Sequence, residues 1–541
     1  MLRILNSQSR QKEDFKPLDP AGKHVRMYTC GPTVYDSLHI GHARAYIAPD
    51  VVRRYLEYKG YQVRHVSNFT DVDDKIIKRA IEERRDWREI TSHYIAEAHR
   101  LLMHLNVMPA DAYPRATDHV VEMQEIVKRL LASKNAYIAK DGDIYFDTTS
   151  YARYGALSGR KLEDDEAGAS GRVDDARMAL KKHPGDFILW KLSKNDRPEI
   201  AKGGENVPRW PSPWGDGRPG WHLECSAMSH KYMGVPFDIH CGGQDLLFPH
   251  HEDEKAQTEC AYCGELKNGE SVRYWVHNAF INMKARPEDG AVNADYVDQA
   301  SGGVKMSKSL GNVKWVREMI WPEGPYDPMA VRMLMLSSHY RSPIVFEPAQ
   351  LDEATARLER LYNALEALDR ASHQSHGKTV TWSSSVTHIV KAEDPAMTTE
   401  SLPMIKAAFD AKLAFDAAMD DDFNTAGALG ALFEMVNRAN QILARFAGAK
   451  PSPAEGASYG EAARLARQLL GVLGLRAERA QGGGAGAGGG EDKLVELLLK
   501  TRGAARTAKQ FALGDQVRDG LKALGYEIED LPGGEAKWKK K

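Results

Sequence analysis

Cysteine is scarce: five residues in a chain of 541. A small, odd number in a protein of this length argues against a disulfide framework and for a reducing compartment, so a cytoplasmic location is expected. Long apolar runs are missing as well. The opening stretch "MLRILNSQSRQKEDF" holds none that would serve as a signal peptide or membrane span, and no membrane partner is expected. Neither sign of charge dominates: 73 Lys and Arg stand against 75 Asp and Glu, a formal net charge of −2. Any basic surface for nucleic acid therefore has to be local. What remains is an ordinary globular composition, 42% apolar and 27% charged. The chain is too long for one core, so roughly two to four domains are expected.

The pattern changes once along the chain. "VRMYTC" (Val25 to Cys30) predicts a short strand, and apolar residues at helical spacing (Ala45, Ile47, Val51, Val52, Tyr55, Leu56) predict a helix over 43–58 that stops at Gly60. "YQVRHVSNF" predicts the next strand. Strand, helix, strand is a βαβ unit, so the expected fold is a Rossmann-like α/β parallel-sheet domain over 1–345. Helical patterns run through 71–134, and "AYIAKDGDIYFD" predicts a hairpin turning at Asp141-Gly142. "VPFDIHC" and "YWVHNAFI", with a helix between them, resume the sheet after an insertion at about 110–220. From Glu347 onward amphipathic stretches such as "LDEATARLERLYNALEAL" and "TAGALGALFEMVNRANQILARFA" follow without strands, which predicts an all-α helical bundle over 346–480. "GGGAGAGGG" marks a flexible linker over 481–490, and a small module over 491–541 ends in the basic tail "KWKKK".

Two histidines flank a glycine where the first loop turns into a helix: His39, Gly41 and His42 in "SLHIGHARAY". A helix N-terminus offers unpaired N–H groups and attracts phosphate. Imidazoles there add donors for oxygens on which charge develops, and Gly41 lets a base or ribose pack on bare backbone. By itself so short a motif also arises by chance. Far downstream, "VKMSKSLGN" sets Lys305 and Lys308 in a Gly/Ser-rich loop suited to a triphosphate and its pyrophosphate leaving group. A lone KxxK is usually a solvated loop. Together the two stretches resemble the signature pair of class I aminoacyl-tRNA synthetases. A looser form of the pair occurs in cytidylyltransferase-like enzymes, so nucleotidyl transfer is the reaction class common to both. "GGQDLLFPHH" adds Gly242 and Gly243 for close backbone approach, and Asp245 to hold ribose hydroxyls.

The cysteines and histidines suggest a metal. Cys30 ends the first strand and Cys225 sits in "GWHLECSAM". His250 and Glu254 in "PHHEDE" are four residues apart on a helix expected to start at Pro249, so they share a face. Two thiolates, an imidazole and a carboxylate make a tetrahedral zinc set. Other readings stand beside this one. Either cysteine alone is more often a small buried hydrophobe, and His251 competes with His250. "CAYC" (Cys260, Cys263), with Cys241, is a rival zinc half-site.

Cys30 before the first motif, "GWHLECSAM", "FPHHEDE", "KMSKSLGN" and "DDDFNT" (Asp420 to Thr425) together resemble the cysteinyl-tRNA synthetase family along most of the chain. The resemblance implies one zinc on Cys30, Cys225, His250 and Glu254 that takes the substrate's thiolate as a further ligand. It implies Mg2+ with ATP, and ATP, L-cysteine and tRNA(Cys) as partners of a monomeric ligase. His39, His42, Lys305 and Lys308 would stabilise the transition state of adenylation. Trp221 would wall the side-chain pocket, with Thr70 and His240 near the substrate. Serine differs from cysteine at one atom, which shape separates poorly and a soft thiolate–metal bond separates well. No editing domain is then needed.

By the same resemblance Arg506, Phe511, Asp515 and Arg518 in "RTAKQFALGDQVRDGL" would contact the anticodon, by stacking and hydrogen bonds to splayed bases. A solvated amphipathic helix is the plainer reading of that segment. The chain departs from the family at Cys241, where glycine is usual, and at Phe511, where tryptophan is usual. It also carries extra segments over 285–303 and 372–400, to which no role is assigned. Two other functions fit parts of the pattern: a ligase joining cysteine to a small amine, of the mycothiol type, and an inactive tRNA-binding paralogue.

Overall fold

A computed structural model describes residues 1–160, 178–266, 268–284, 297–298, 301–306, 311–375, 403–445, 451–479, 495, 497–503, 505–506, 510–523, 526–530 and 536–540. Lys308, the Gly-rich linker 481–490 and most of the segments 285–303 and 372–400 lie outside the described residues.

Strands β1 (Arg3–Asn6) and β2 (Gln11–Asp14) pair antiparallel at the start of the chain. Then β3 (His24–Thr29), α1 (Ile40–Tyr58) and β4 (Gln62–Ser67) form the parallel βαβ unit. Helix α1 starts three residues earlier than the apolar spacing suggests, because His39 caps it: His39 and His42 each accept a backbone N–H from the other in a capping box. Helices α2 (Asp74–Glu83) and α3 (Trp87–His104) follow, capped by Asp73 and Asp86. After α4 (Val120–Ala132), the short strands β5 (Ala136–Ile138), β6 (Ile144–Phe146), β7 (Phe187–Leu192) and β8 (Gly217–Pro219) build a separate antiparallel sheet. The β5–β6 hairpin turns at Asp141-Gly142, where Gly142 takes a φ of 96°.

The chain returns to the first sheet through α5 (Trp221–Met233), β9 (Phe237–Gly243), α6 (Glu252–Ala261) and β10 (Val272–Asn278). The strand order β10-β9-β3-β4 is all parallel, as the two βαβ units require. Tyr28 pairs with His240 and His240 with Trp275, so the carboxyl ends of β3, β9 and β10 lie side by side. That edge is where an open parallel sheet places its ligand crevice. Beyond it come β11 (Ile281–Met283) and β12 (Val304–Lys305), then α7 (Pro328–Leu336) and β13 (Ile344–Phe346).

Among the described residues four helices follow: α8 (Ala349–Ser375), α9 (Pro403–Asp420), α10 (Thr425–Arg445) and α11 (Pro453–Val472). In α9 the buried residues Met404, Ala408, Ala411, Phe415 and Met419 recur every three or four positions, the single stripe a bundle helix needs. Bundle and sheet share one apolar core, in which Tyr55 and Leu56 of α1 join Phe423, Leu465 and Leu469. At that junction Arg332 is fully buried and pairs with Asp50, and it donates to the carbonyls of Leu473 and Leu105.

The C-terminal residues form a small unit of α12 (Phe511–Ala523) against the hairpin β14 (Tyr526–Asp530) and β15 (Ala536–Lys540). "KWKKK" is therefore no loose tail: its residues through Lys540 belong to β15, and Trp538 packs edge-on against Tyr526 at 5.4 Å. Alternation of apolar and charged residues, rather than the lysine count, decides that segment.

Candidate metal centre and nucleotide site

Four distant residues meet at the carboxyl end of the sheet. Cys30 follows β3 directly, and Cys225 projects from the second turn of α5. Glu254 lies in the first turn of α6. The helical backbone that leads into α6 starts at Pro249, as expected, since Phe248 just before it is extended (φ −141°, ψ 133°) while His251 and Glu252 are already helical. The four-residue spacing holds His250 and Glu254 on one face, with Nε2 and Oε1 2.8 Å apart. Cys30 Sγ lies 3.6 Å from Cys225 Sγ, 3.7 Å from His250 Nε2 and 3.3 Å from Glu254 Oε1. All four residues are buried.

The three distances from Cys30 Sγ fit a tetrahedral ion. Zinc bonds of about 2.0–2.3 Å put neighbouring donor atoms roughly 3.3–3.8 Å apart. A sulfur–sulfur distance of 3.6 Å is far beyond a disulfide, and all five cysteines are free. Charge leads to the same reading. Burial pushes the Cys30 thiol and the Glu254 carboxyl well above their ordinary ranges, while a hydrogen bond from Cys30 lowers Cys225. Two acids buried side by side shed their protons only when a cation takes their place.

A second imidazole backs His250. Its Nδ1 is 3.0 Å from His222 Nδ1, and His222 Nε2 is 3.3 Å from Asp253, a carboxylate–imidazole relay of the kind that fixes a ligating ring. Trp221 stacks on His250 at 4.2 Å and walls this side of the cluster. On the other side His240, stacked on Trp275 at 4.6 Å, sends Nε2 to within 3.3 Å of Cys30 Sγ. His251 points at Glu254 from 4.0 Å. Cys30, His240, His251 and Glu254 thus make an overlapping set of possible ligands, so His251 is not a mere neighbour of His250. Burial keeps His240 and His251 neutral by holding both well below the usual imidazole range. Sequence reading missed His222, Asp253 and His277. The only available signal was their position beside motif residues, since the groups that hydrogen-bond a ligand from behind follow no spacing rule of their own.

Asn68 ties the floor together. Its Oδ1 accepts the Gly31 N–H at 2.9 Å and lies 3.7 Å from Cys225 Sγ. A Cβ on Gly31 would fall 1.6 Å from the Asn68 carbonyl oxygen, so only glycine allows that approach. Thr70, buried two residues on, accepts from Asn68 Nδ2 at 3.5 Å.

The two halves of the nucleotide motif also meet. His39 and His42 stack with centroids 3.7 Å apart. Because each Nδ1 accepts a backbone N–H, each neutral ring carries its proton on Nε2. Residues 314–316 run against this turn: Ile40 N–H donates to Lys314 and Val316 N–H to Leu38, both at 2.9 Å. The Met306 methyl reaches Gly41. Lys305 pairs by its backbone with Asn282 in β12, a strand and not the loop expected, and Lys308 lies outside the described residues.

The glycines of "GGQDLL" lie against side chains of the chain itself. Space above Gly242 is filled by the His251 ring, where a Cβ would fall 2.6 Å from Cε1, and Gly243 is crowded by Asp245, itself solvent-facing. Their small size thus seats His251 and Asp245 in the protein's own packing. Cys241 is buried in the sheet core, and neither Cys260 nor Cys263 joins a group of three ligands among the described residues. Arg506, Asp515 and Arg518 are exposed on the C-terminal unit, as is Phe511 at 58%.

Comparison with known proteins agrees with this architecture. Residues 15–356 match the family of tRNA synthetases class I (C) catalytic domains, and residues 414–478 match the DALR domain. The cysteine–tRNA ligase of Actinobacillus pleuropneumoniae is 40% identical over 541 residues, covering all of both chains. That of Gloeothece citriformis is 42% identical over 542 residues, covering 99% of each. Among solved structures, Mycobacterium tuberculosis methionyl-tRNA synthetase in complex with methionyl-adenylate superposes with a TM-score of 0.56 over 83% of this chain and 91% of its own. At 14% identity that likeness speaks for the fold alone.

Proposed function

The chain belongs to the cysteine–tRNA ligase family of class I aminoacyl-tRNA synthetases, and we propose from that premise how its residues activate L-cysteine with ATP and pass it to tRNA(Cys). The observation that carries the reading is the meeting of Cys30, Cys225, His250 and Glu254 around one centre at the carboxyl edge of the sheet. These four residues would hold the ion. Zinc, when bound there, supplies a soft Lewis acid that favours a thiolate over serine's hydroxyl.

The chain's own groups do the rest. Trp221 covers the pocket beside His250. Thr70 and His240 bound the space in which the amino acid sits. The N-terminal N–H groups of α1 and the Nε2–H donors of His39 and His42 serve the phosphates, and Lys305 and Lys308 supply positive charge for the leaving pyrophosphate. Magnesium enters with ATP as part of the substrate. The cysteine carboxylate attacks the α-phosphorus, the bond to the bridging oxygen breaks, and pyrophosphate leaves. A ribose hydroxyl at the tRNA 3′ end then attacks the carbonyl carbon of the adenylate and AMP departs. Positioning and charge stabilisation suffice for both steps.

Arg506, Phe511, Asp515 and Arg518 on the C-terminal unit serve the anticodon. That unit and the long bundle favour tRNA over a small amine as acceptor. Free cysteines and balanced charge suit a cytoplasmic enzyme working as a monomer. Cysteine-dependent ATP–pyrophosphate exchange on purified protein, with its zinc content measured alongside, tests the reading; exchange that ignores added cysteine sinks it.

A further inference from the structure

The first seven residues do more than begin the chain. We propose that the segment Met1–Ser7 is a tie between the helical bundle and the metal centre, with Ser7 a positioning residue for His251. The inference rests on the proposed zinc site.

One end of the tie is clasped by "DDDFNT". Asp422 is 1% exposed and takes a left-handed backbone (φ 61°), an uncommon conformation for aspartate that aims its groups at β1. Its Oδ1 accepts the Leu5 N–H at 2.9 Å, and its own N–H donates to the Arg3 carbonyl at 3.0 Å. Tyr340 and Arg341 hold the same carboxylate at 2.8 and 3.1 Å, and Arg341 also donates to the Leu5 carbonyl. Asp421 meets Arg3 at 2.9 Å and Lys12 at 2.7 Å. Leu2 and Ile4, at 4% and 0% exposure, sit in the core shared with the bundle. The segment is therefore registered against the loop between α9 and α10 from both faces.

The other end grips β10, the outermost strand of the parallel sheet. Asn6 Oδ1 accepts the Trp275 N–H at 3.1 Å, Asn6 Nδ2 donates to the Arg273 carbonyl at 2.9 Å, and Ser7 N–H donates to the Trp275 carbonyl at 2.9 Å. Trp275 in turn packs on both His240 and His251. From Ser7 a polar chain enters the centre: Oγ to His277 Nδ1 at 2.8 Å, then His277 Nε2 to His251 Nδ1 at 2.8 Å.

The direction of that chain follows from its far end. His251 Nε2 is buried, faces the Glu254 carboxylate at 4.0 Å and has no hydrogen-bond partner among the described residues. The Nδ1–His277 contact needs one donor and one acceptor, and an ionised Glu254 beside Nε2 favours the tautomer with the His251 proton there, through charge and not through a hydrogen bond. Its Nδ1 then accepts from His277, whose Nδ1 accepts from the Ser7 hydroxyl. Each neutral ring is fixed in one tautomer and one orientation by the group behind it, the arrangement that steadies the ligands of metal sites. Because Ser7 is displaced only if Leu5 and Asn6 move, the seating of the bundle on Asp422 sets the His251 ring that stands beside Glu254.

The test measures transfer of zinc from the full-length protein to a chromophoric chelator, beside thermal melting. Wild-type protein that carries no zinc sinks the zinc site itself, and only a zinc-loaded wild type tests the tie. Ser7→Ala is expected to speed zinc loss about tenfold, the usual effect of removing an outer-shell partner, and Ser7→Thr to restore it. Asp422→Asn, remote from the centre, is expected to speed zinc loss several-fold, and the double variant to be no faster than Ser7→Ala alone, since both act through one element. Unchanged zinc loss in Ser7→Ala overturns the positioning role. An Asp422→Asn variant that melts earlier but holds zinc like the wild type overturns the tie.

Discussion

The methyl carbon of Met306 lies 3.4 Å from where a Cβ on Gly41 would stand, so the segment after β12 and the histidine turn touch at a residue with no side chain. The same Cβ would fall 3.0 Å from two atoms of the His39 ring. Gly41→Ala should therefore displace His39 or Met306. Alanine is the better helix former by about 0.8–1 kcal/mol, so the thermal midpoint should hold or rise while pyrophosphate exchange falls by ~100-fold. Parallel losses in melting and exchange would point to simple unfolding instead.

Removing one ligand should cost specificity before it costs the fold. Cys225→Ala leaves three donors and is expected to lose zinc. Discrimination between cysteine and serine should then drop from the ~10⁴–10⁵ range typical of sites built on a specific polar contact to that of a shape-only pocket, roughly 10–200-fold. Exchange assayed with each amino acid reads the ratio directly. A variant that still rejects serine as the wild type does would remove the metal from the specificity argument.

Lys308→Ala is expected to slow adenylate formation by about 100-fold while cysteine affinity stays within a few-fold, since its charge acts on the leaving pyrophosphate. Pre-steady-state exchange separates the two quantities. Equal loss of both would reassign Lys308 to substrate binding.

Acid should weaken the fold through His65. This ring is buried, 2.9 Å from the Thr29 hydroxyl at the end of β3, and burial lowers its pKa to about 4. An unfolded histidine takes up its proton near 6.5. Between those values the unfolded chain binds more protons, so stability is full above pH 6.5 and falls as pH drops toward 4, by up to ~3 kcal/mol. Urea midpoints measured across that window should fall with pH, and His65→Gln should flatten the slope.

Phe511, 58% exposed at the start of α12, should matter only when tRNA is present. Loss of one stacked base contact costs about 1–3 kcal/mol, so Phe511→Ala should raise the KM for tRNA roughly five- to 100-fold and leave pyrophosphate exchange untouched. An unchanged KM would return this helix to a solvated surface.

Much of this protein is legible along the chain because its causes are local. The βαβ start, the hairpin at Asp141-Gly142 and the change to a helical bundle rest on apolar periodicity and turn residues, which act within a few positions. His39 and His42 are likewise readable, since a capping box spans only three residues. Elsewhere local reading stopped short. Trp538 turns a lysine tail into a strand by packing on Tyr526. What tertiary structure alone decided is which groups meet. Burial, and a backbone approach only Gly31 permits, choose two sulfurs, an imidazole and a carboxylate from segments up to 224 residues apart, and settle that His251 faces Glu254 with Ser7 behind it. Periodicity records which side of an element is inward; it holds no information about which other element will be waiting there, because that depends on the summed packing of the entire core.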